Sequence, residues 1–200
     1  MAGISPSKLD SIAVVGMGCI YPGAHSPEEL WANVLAGRRF FRKAPAERMP
    51  PEYFDPDPQA PDKSYCDRMA VITGWEFDAL KYRIPPVTVR SSDIAHWLAL
   101  HTADAALKDS GLDLASVDRT RAGVMLGNSL TGEFSRAHCL RLRWPYAERA
   151  LRRSLQSQGT DEQSIPHILA AFRQSFEAPF PESNEDTLAG NMSNTISRCS

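Results

Sequence analysis

SIAVVGMGCIYPG, residues 11–23, is a run of small and β-branched apolar residues that stops on Gly16 and Gly18 and turns at Pro22-Gly23. Ile12, Ala13, Val14 and Val15 show no alternation of polar and apolar side chains, the pattern of a central strand covered on both faces. Ser26-Pro27-Glu28-Glu29, leading into Leu30 and Trp31, is a helix start: a serine to cap, a proline at the first helical position and carboxylates in the first turn. The opening therefore predicts strand, glycine turn, loop and helix. Glycines after a strand can bring backbone N–H groups to a phosphate at a helix N-terminus. Here Tyr21 stands where the third glycine of a dinucleotide fingerprint is required, and Pro22 has no N–H to donate, so the spacing argues against a nucleotide site.

Two hundred residues suffice for one ordinary domain with a sizeable core, and 42% apolar with 23% charged is a globular balance. A formal net charge of −2 gives no global attraction to nucleic acid or to an anionic membrane, so electrostatic docking has to come from a local patch. MAGISPSKLD, residues 1–10, reads as an N-terminal tail. The apolar run after it, about seven residues, is too short and wrongly flanked for a signal peptide or a membrane span. A cytoplasmic protein with no nucleic-acid and no membrane partner is expected. Cys19, Cys66, Cys139 and Cys199 lie far apart with no C-x-x-C pair, which indicates free thiols and no zinc site. Asn191-Met192-Ser193 fits a glycosylation sequon and is discounted in the absence of a secretory signal.

Arg38–Lys43 and Ala44–Lys63 predict an irregular surface loop, because the six prolines of the second segment break any helical or ladder register. Tyr53 and Phe54 are the residues expected to anchor it. VTVRSSDIAHWLALHTADAALKDSGL, residues 87–112, predicts a mostly buried helix: Ser91 or Ser92 can cap, Asp93 sits in the first turn, apolar residues run from Ile94 to Leu107, and Gly111 ends it. RAGVMLGNS, residues 121–129, repeats the opening grammar, with a short strand at Gly123–Leu126 that ends on Gly127. Strand, helix and strand together imply a parallel layered arrangement of α/β class. Glu133–Ala178 reads as helical and amphipathic, with apolar positions such as Leu140, Trp144, Leu151, Leu155, Ile165, Leu169, Phe172 and Phe176. Between Arg136 and Arg153, six arginines (Arg136, Arg141, Arg143, Arg149, Arg152 and Arg153) stand against a single acid, Glu148. That excess is either a solvated face or a surface for an acidic partner.

Taken in order, IAVVGMGCIYPGAHSPEELWANVLAGRR (residues 12–39), the Pro/Asp-rich loop with DPDP at Asp55–Pro58, Gly74-Trp75-Glu76-Phe77-Asp78, the 121–129 strand and Leu188–Ile196 resemble the N-terminal portion of a β-ketoacyl synthase (ketosynthase) domain of a type I polyketide or polyunsaturated fatty acid synthase. The long SRAHCLRLRWPY segment is most similar to iterative synthases of the enediyne and polyunsaturated fatty acid kind. Pro85-Pro86-Val87 departs from the serine-proline of modular synthases, and Ile196-Ser197-Arg198-Cys199 departs from the alanine-glycine-arginine expected there. The resemblance implies the N-terminal part of a thiolase-like layered αβαβα fold, incomplete, over residues 11–200. The strands for which Ile12–Val15 and Gly123–Leu126 stand are neighbours in one sheet of that fold. With that sheet incomplete, an exposed apolar edge and a tendency to aggregate are expected.

The resemblance also implies a reaction. An acyl chain on a cysteine thiolate is joined to malonyl-acyl carrier protein by decarboxylative Claisen condensation beside two histidines, which requires a thiol of lowered pKa and positioned donors for the enolate and oxyanion. No cofactor is bound directly; the phosphopantetheine arm of the carrier protein brings the substrate, and the parent enzyme is expected to be a homodimer. In the family the cysteine lies in an alanine-cysteine-serine turn and both histidines follow far downstream, and none of these motifs occurs in the 200 residues. Cys199-Ser200 lacks the context, since the nucleophile should follow the Leu188–Ile196 helix by roughly twenty residues in this family pattern. His96 and His101 are five apart and do not share a helix face. Gly127-Asn128-Ser129-Leu130-Thr131 lacks the second glycine of a hydrolase elbow. No catalytic residue and no metal ligand is therefore assigned. By position in the family, Leu130 borders the acyl pocket, and Arg141, Arg143 and Arg149 are the candidates for carrier-protein docking. The 200-residue chain is expected to be inactive by itself, either as the start of a condensing enzyme or as a non-catalytic module that binds carrier protein or a partner subunit.

Overall fold

A computed structural model describes residues 12–128, 132–180, 182, 187 and 190 of the chain. They divide into two compact units, one running through Glu76 and taking in Thr102–Ser116, the other made of Phe77–His101 and the chain from Val117 on.

In the first unit, α1 (Pro27–Leu35) begins as the sequence predicts. The Ser26 hydroxyl accepts from the Glu29 N–H at 3.2 Å, and the Glu29 carboxylate accepts from the His25 N–H at 2.7 Å, so two donors at the helix start are satisfied reciprocally. Asn33, buried on α1, donates to the Gly23 carbonyl at 2.8 Å and accepts from Arg38 at 3.2 Å, which ties the glycine turn to the helix.

The opening stretch does not form a strand. Gly16 and Gly18 lie so close to the second half of α3 (Ile94–Asp109) that a Cβ on either would run into the Ala106 or Thr102 carbonyl. The intervening Met17 N–H donates to the Asp109 carboxylate at 2.8 Å. The two glycines thus allow backbone to pack directly on a helix. Ile12, Val14 and Val15 stay exposed, because a central strand needs a backbone partner on each edge and no described residue provides one. Gly123–Leu126 likewise joins no ladder, and Met125 is 97% exposed.

The ladder that does form among the described residues was invisible to patterning: β1 (Arg42–Lys43) pairs antiparallel with β2 (Arg68–Met69), and such two-residue strands carry no alternation to read. The Pro/Asp-rich segment between them is irregular apart from a 3-10 turn at Pro51–Tyr53. Tyr53 and Phe54 do not anchor it, since both are exposed. Backbone pairing does so instead, with the Asp55 N–H bonded to the Ser64 carbonyl at 3.0 Å, the Ser64 N–H to the Tyr53 carbonyl at 2.7 Å, and the Lys63 ammonium donating to the Glu52 carbonyl.

In the second unit, α2 (Pro86–Arg90) ends at Ser91, whose hydroxyl donates to the Val87 carbonyl at 2.7 Å. Ser91 closes α2 and so does not cap α3. Asp93 does, accepting the Ala95 N–H at 3.1 Å. Of the helix predicted to be mostly buried, only His96 and Trp97 are, while Ile94 and Leu107 are half exposed. Trp97 stacks on Phe77 with ring centres 4.9 Å apart, and Phe77 on Tyr82 at 5.2 Å. Helices α4 (Glu133–Leu142), α5 (Trp144–Ser157) and α6 (Ile165–Glu177) follow, so the described residues combine helices with one small sheet in a mixed α/β class. Among the described residues no helix is long and apolar enough to cross a membrane.

Candidate functional site

The arginine-rich segment is built around a proline. Pro145 has no N–H for the helical ladder, so α4 stops at Leu142, Arg143 stays in helical conformation as the joint, and α5 starts at Trp144. Trp144 is buried against α6, with ring centres 5.8 Å from Phe172 and 5.7 Å from Phe176. Ile165 and Leu169 of α6 are buried with it, and Phe176 meets Phe180 edge-on at 5.8 Å.

Arg141 turns toward this core. Its guanidinium donates to the carbonyls of Glu177 at 3.2 Å and Phe180 at 3.0 Å, where α6 ends and helical carbonyls lack partners. It also pairs with the Glu177 carboxylate at 3.5 Å and stands 4.0 Å from Glu182. Arg173 reaches the same Glu177 carboxylate at 2.9 Å. Arg141 is therefore a latch between α4 and the end of α6, mostly withdrawn from solvent.

Arg143 and Arg149 point the other way. Both are exposed and lie over the exposed Tyr146 ring, 5.6 Å and 4.8 Å from its centre, and Arg149 also donates to the Pro145 carbonyl at 3.2 Å. Arg152 is neutralised by Glu148 at 3.3 Å. Arg136, Arg143, Arg149 and Arg153 make no ion pair among the described residues. Of the three docking candidates, Arg143 and Arg149 lie together over Tyr146, and Arg141 is half-buried against the end of α6. Leu130 lies outside the described residues, as do Cys199, the 191–193 sequon and all of Leu188–Ile196 except Gly190.

A polar cluster surrounds the start of α3. Asp93, His96 and Ser91 are buried, the Asp93 N–H donates to the Gly190 carbonyl at 3.1 Å, and Gly132, the residue before α4, abuts the Asp93 carboxylate. His96 faces the Asp93 carbonyl with Nδ1 at 3.2 Å, and burial holds its pKa below the ordinary value against the smaller, opposing pull of Asp93. The unfolded chain then binds a proton more readily than the folded one. Stability should be greatest above the ordinary value near 6.5 and should fall as the pH drops through and below it. Urea melts of wild type and His96→Gln across this range should show the dependence flattening in the variant; an equal slope in both would assign it elsewhere. Nothing in the sequence marked this cluster except Asp93 beside two serines.

In the first unit an apolar groove of about 660 Å³ runs between Gly16–Cys19 and the Pro27, Leu30, Trp31 and Val34 side of α1. Burial pushes the Cys19 thiol up, with Glu28 and Glu29 adding to the effect, so its thiolate is disfavoured. Cys19, Cys66 and Cys139 are free thiols, and no group of metal-binding side chains occurs among the described residues.

The sequence profile of the β-ketoacyl synthase N-terminal domain matches residues 9–172. Among curated relatives, a polyunsaturated fatty acid synthase subunit of Thraustochytrium sp. is 30% identical over 190 residues, 94% of this chain and 6% of that protein. Polyketide synthase PksL of Bacillus subtilis is 34% identical over 120 residues, 59% of this chain and 3% of its own. The spectinabilin polyketide synthase system protein NorC of Streptomyces orinoci is 37% identical over 128 residues, 62% of this chain and 6% of its own. An oxazolomycin ketosynthase domain of Streptomyces albus superposes with a TM-score of 0.44 at 28% identity, over 48% of this chain and 17% of that one. The chain spans only a few per cent of the length of the curated relatives it matches, 3% to 6% in these three. The profile covers most of the sequence and the longest of these alignments nearly all of it, and on that ground the chain belongs to the β-ketoacyl synthase family.

Proposed function

We propose that residues 11–200 serve as the N-terminal part of a ketosynthase that condenses a cysteine-bound acyl chain with malonyl-acyl carrier protein in polyketide or polyunsaturated fatty acid synthesis. The observation that carries this is the match to the β-ketoacyl synthase N-terminal domain over residues 9–172. The relative aligned over 190 residues belongs to a polyunsaturated fatty acid synthase, whereas the two polyketide relatives described align over 120 and 128, which favours the iterative type. Substrates would arrive on the phosphopantetheine arm of a carrier protein, in a cytoplasmic homodimer, with Leu130 beside the acyl chain.

The reacting groups would come from outside these residues. Condensation needs a thiolate poised for acyl transfer, and the Cys19 thiol is held toward its neutral form. The 200-residue chain, mixed with acyl- and malonyl-carrier protein, should release no carbon dioxide above the buffer background. A polypeptide that adds the alanine-cysteine-serine turn and both histidines should release it stoichiometrically with ketoacyl product. Turnover by the 200 residues alone would sink this assignment of roles.

A further inference from the structure

We infer that one face of the β1–β2 ladder is a binding site for a small organic phosphate, a phosphomonoester dianion that carries an aromatic group. Arg39, Phe41, Cys66 and Arg68 line a groove of about 480 Å³ beside the ladder. Lys43 stands directly opposite Arg68 in the antiparallel register, and directly opposite residues project to the same face. The Ala44 N–H donates to the Asp67 carbonyl at 2.7 Å, which continues the pairing by one step. By the two-residue period of a strand, Arg42 and Asp67 take the other face. The groove face therefore gathers Arg39, Lys43 and Arg68, while the one acid of the ladder, Asp67, is turned away from it. These three cations make no ion pair among the described residues.

The ladder itself points to an anion. Because Ala44 and Asp67 are a hydrogen-bonded pair, the adjacent pair of Lys43 and Arg68 is the non-hydrogen-bonded kind, whose side chains come closest. Like charges in that position destabilise a ladder, and a bound anion removes the repulsion. The Arg68 guanidinium is already fixed by donating to the Phe41 carbonyl at 2.9 Å, and its other N–H groups remain for a ligand. Three cations around one anion favour a dianion over a carboxylate, and a planar guanidinium fork matches phosphate oxygens. Phe41, 57% exposed at the groove, presents an apolar ring to an aromatic body attached to that phosphate. The volume suits a small molecule.

The test is calorimetric titration of the full chain with phenyl phosphate, inorganic phosphate and benzoate at about pH 8, where a phosphomonoester carries two charges. Wild type should bind phenyl phosphate saturably, inorganic phosphate at least about threefold more weakly and benzoate more weakly still, with affinity falling as salt rises. Arg39→Gln with Arg68→Gln should weaken phenyl phosphate by at least about tenfold at unchanged far-ultraviolet dichroism. Arg68 also serves the Phe41 carbonyl, so a second variant guards against a folding effect. Lys43→Gln should weaken binding by about threefold, whereas Arg42→Gln, an equal loss of charge on the other face, should leave it unchanged. Phe41→Leu should bring phenyl phosphate down to the affinity of inorganic phosphate. Absence of saturable binding by wild type, or equal losses in Lys43→Gln and Arg42→Gln, overturns the site. Inorganic phosphate bound as tightly as phenyl phosphate overturns the organic ligand and reduces the face to a general anion patch.

Discussion

Replacing Arg141 by methionine should lower the stability of the second unit by about 2–4 kcal/mol, the largest single-residue effect expected outside the apolar core. The guanidinium meets two backbone carbonyls at the end of α6 and the Glu177 carboxylate, all at low exposure. Methionine fills similar volume and leaves the carbonyls of Glu177 and Phe180 without this donor. The carboxylate retains Arg173, which moderates the loss to less than that of a fully orphaned buried charge. Lysine should recover less than half of the difference, because a single ammonium cannot span two carbonyls and a carboxylate as the planar fork does. The measurement is the urea midpoint of far-ultraviolet dichroism for wild type, Arg141→Met and Arg141→Lys. Equal midpoints in all three would show that the latch contributes nothing and would return Arg141 to the set of residues free to dock a partner.

Local features of this protein are legible in its sequence and its long-range pairings are not. Ser26, Pro27 and Glu29 announce α1 because a helix cap is a contract among residues three apart. The amphipathic pattern of residues 133–178 announces α4 to α6 for the same reason, and Pro145 marks the joint between the first two. The run Ile12–Val15 has the composition of a central strand, yet composition states only what the residues could do beside suitable neighbours. The partner taken by Met17 is Asp109, 92 positions away, and nothing near Met17 signals it. Arg141 shows the limit most clearly for function. Its charge and spacing match those of Arg143 and Arg149, and only the position of Glu177, 36 residues on, separates an inward latch from an outward contact. Charge counted along a sequence finds the segment that could dock a partner, whereas the direction of each guanidinium is a property of the packing.

Gly132→Ala and Asp93→Ala should each cost about 1–3 kcal/mol, and together they should cost clearly less than the sum. The backbone of Gly132 has an ordinary φ of −56°, so alanine brings no conformational strain there. The penalty is steric: a Cβ would overlap the Asp93 carboxylate, which is short, buried, and held by the Ala95 N–H at the start of α3. Removing that carboxylate forfeits the α3 cap but opens the space that the added methyl needs. A double-mutant cycle on urea midpoints should therefore return a favourable coupling of about 1 kcal/mol between the two changes. Strict additivity would mean that the start of α4 can move away from Asp93 at no cost. Positive coupling would establish that one buried carboxylate sets both the start of α3 and the approach of α4, the helix whose far end carries Arg141 and leads through Arg143 into the basic face of α5.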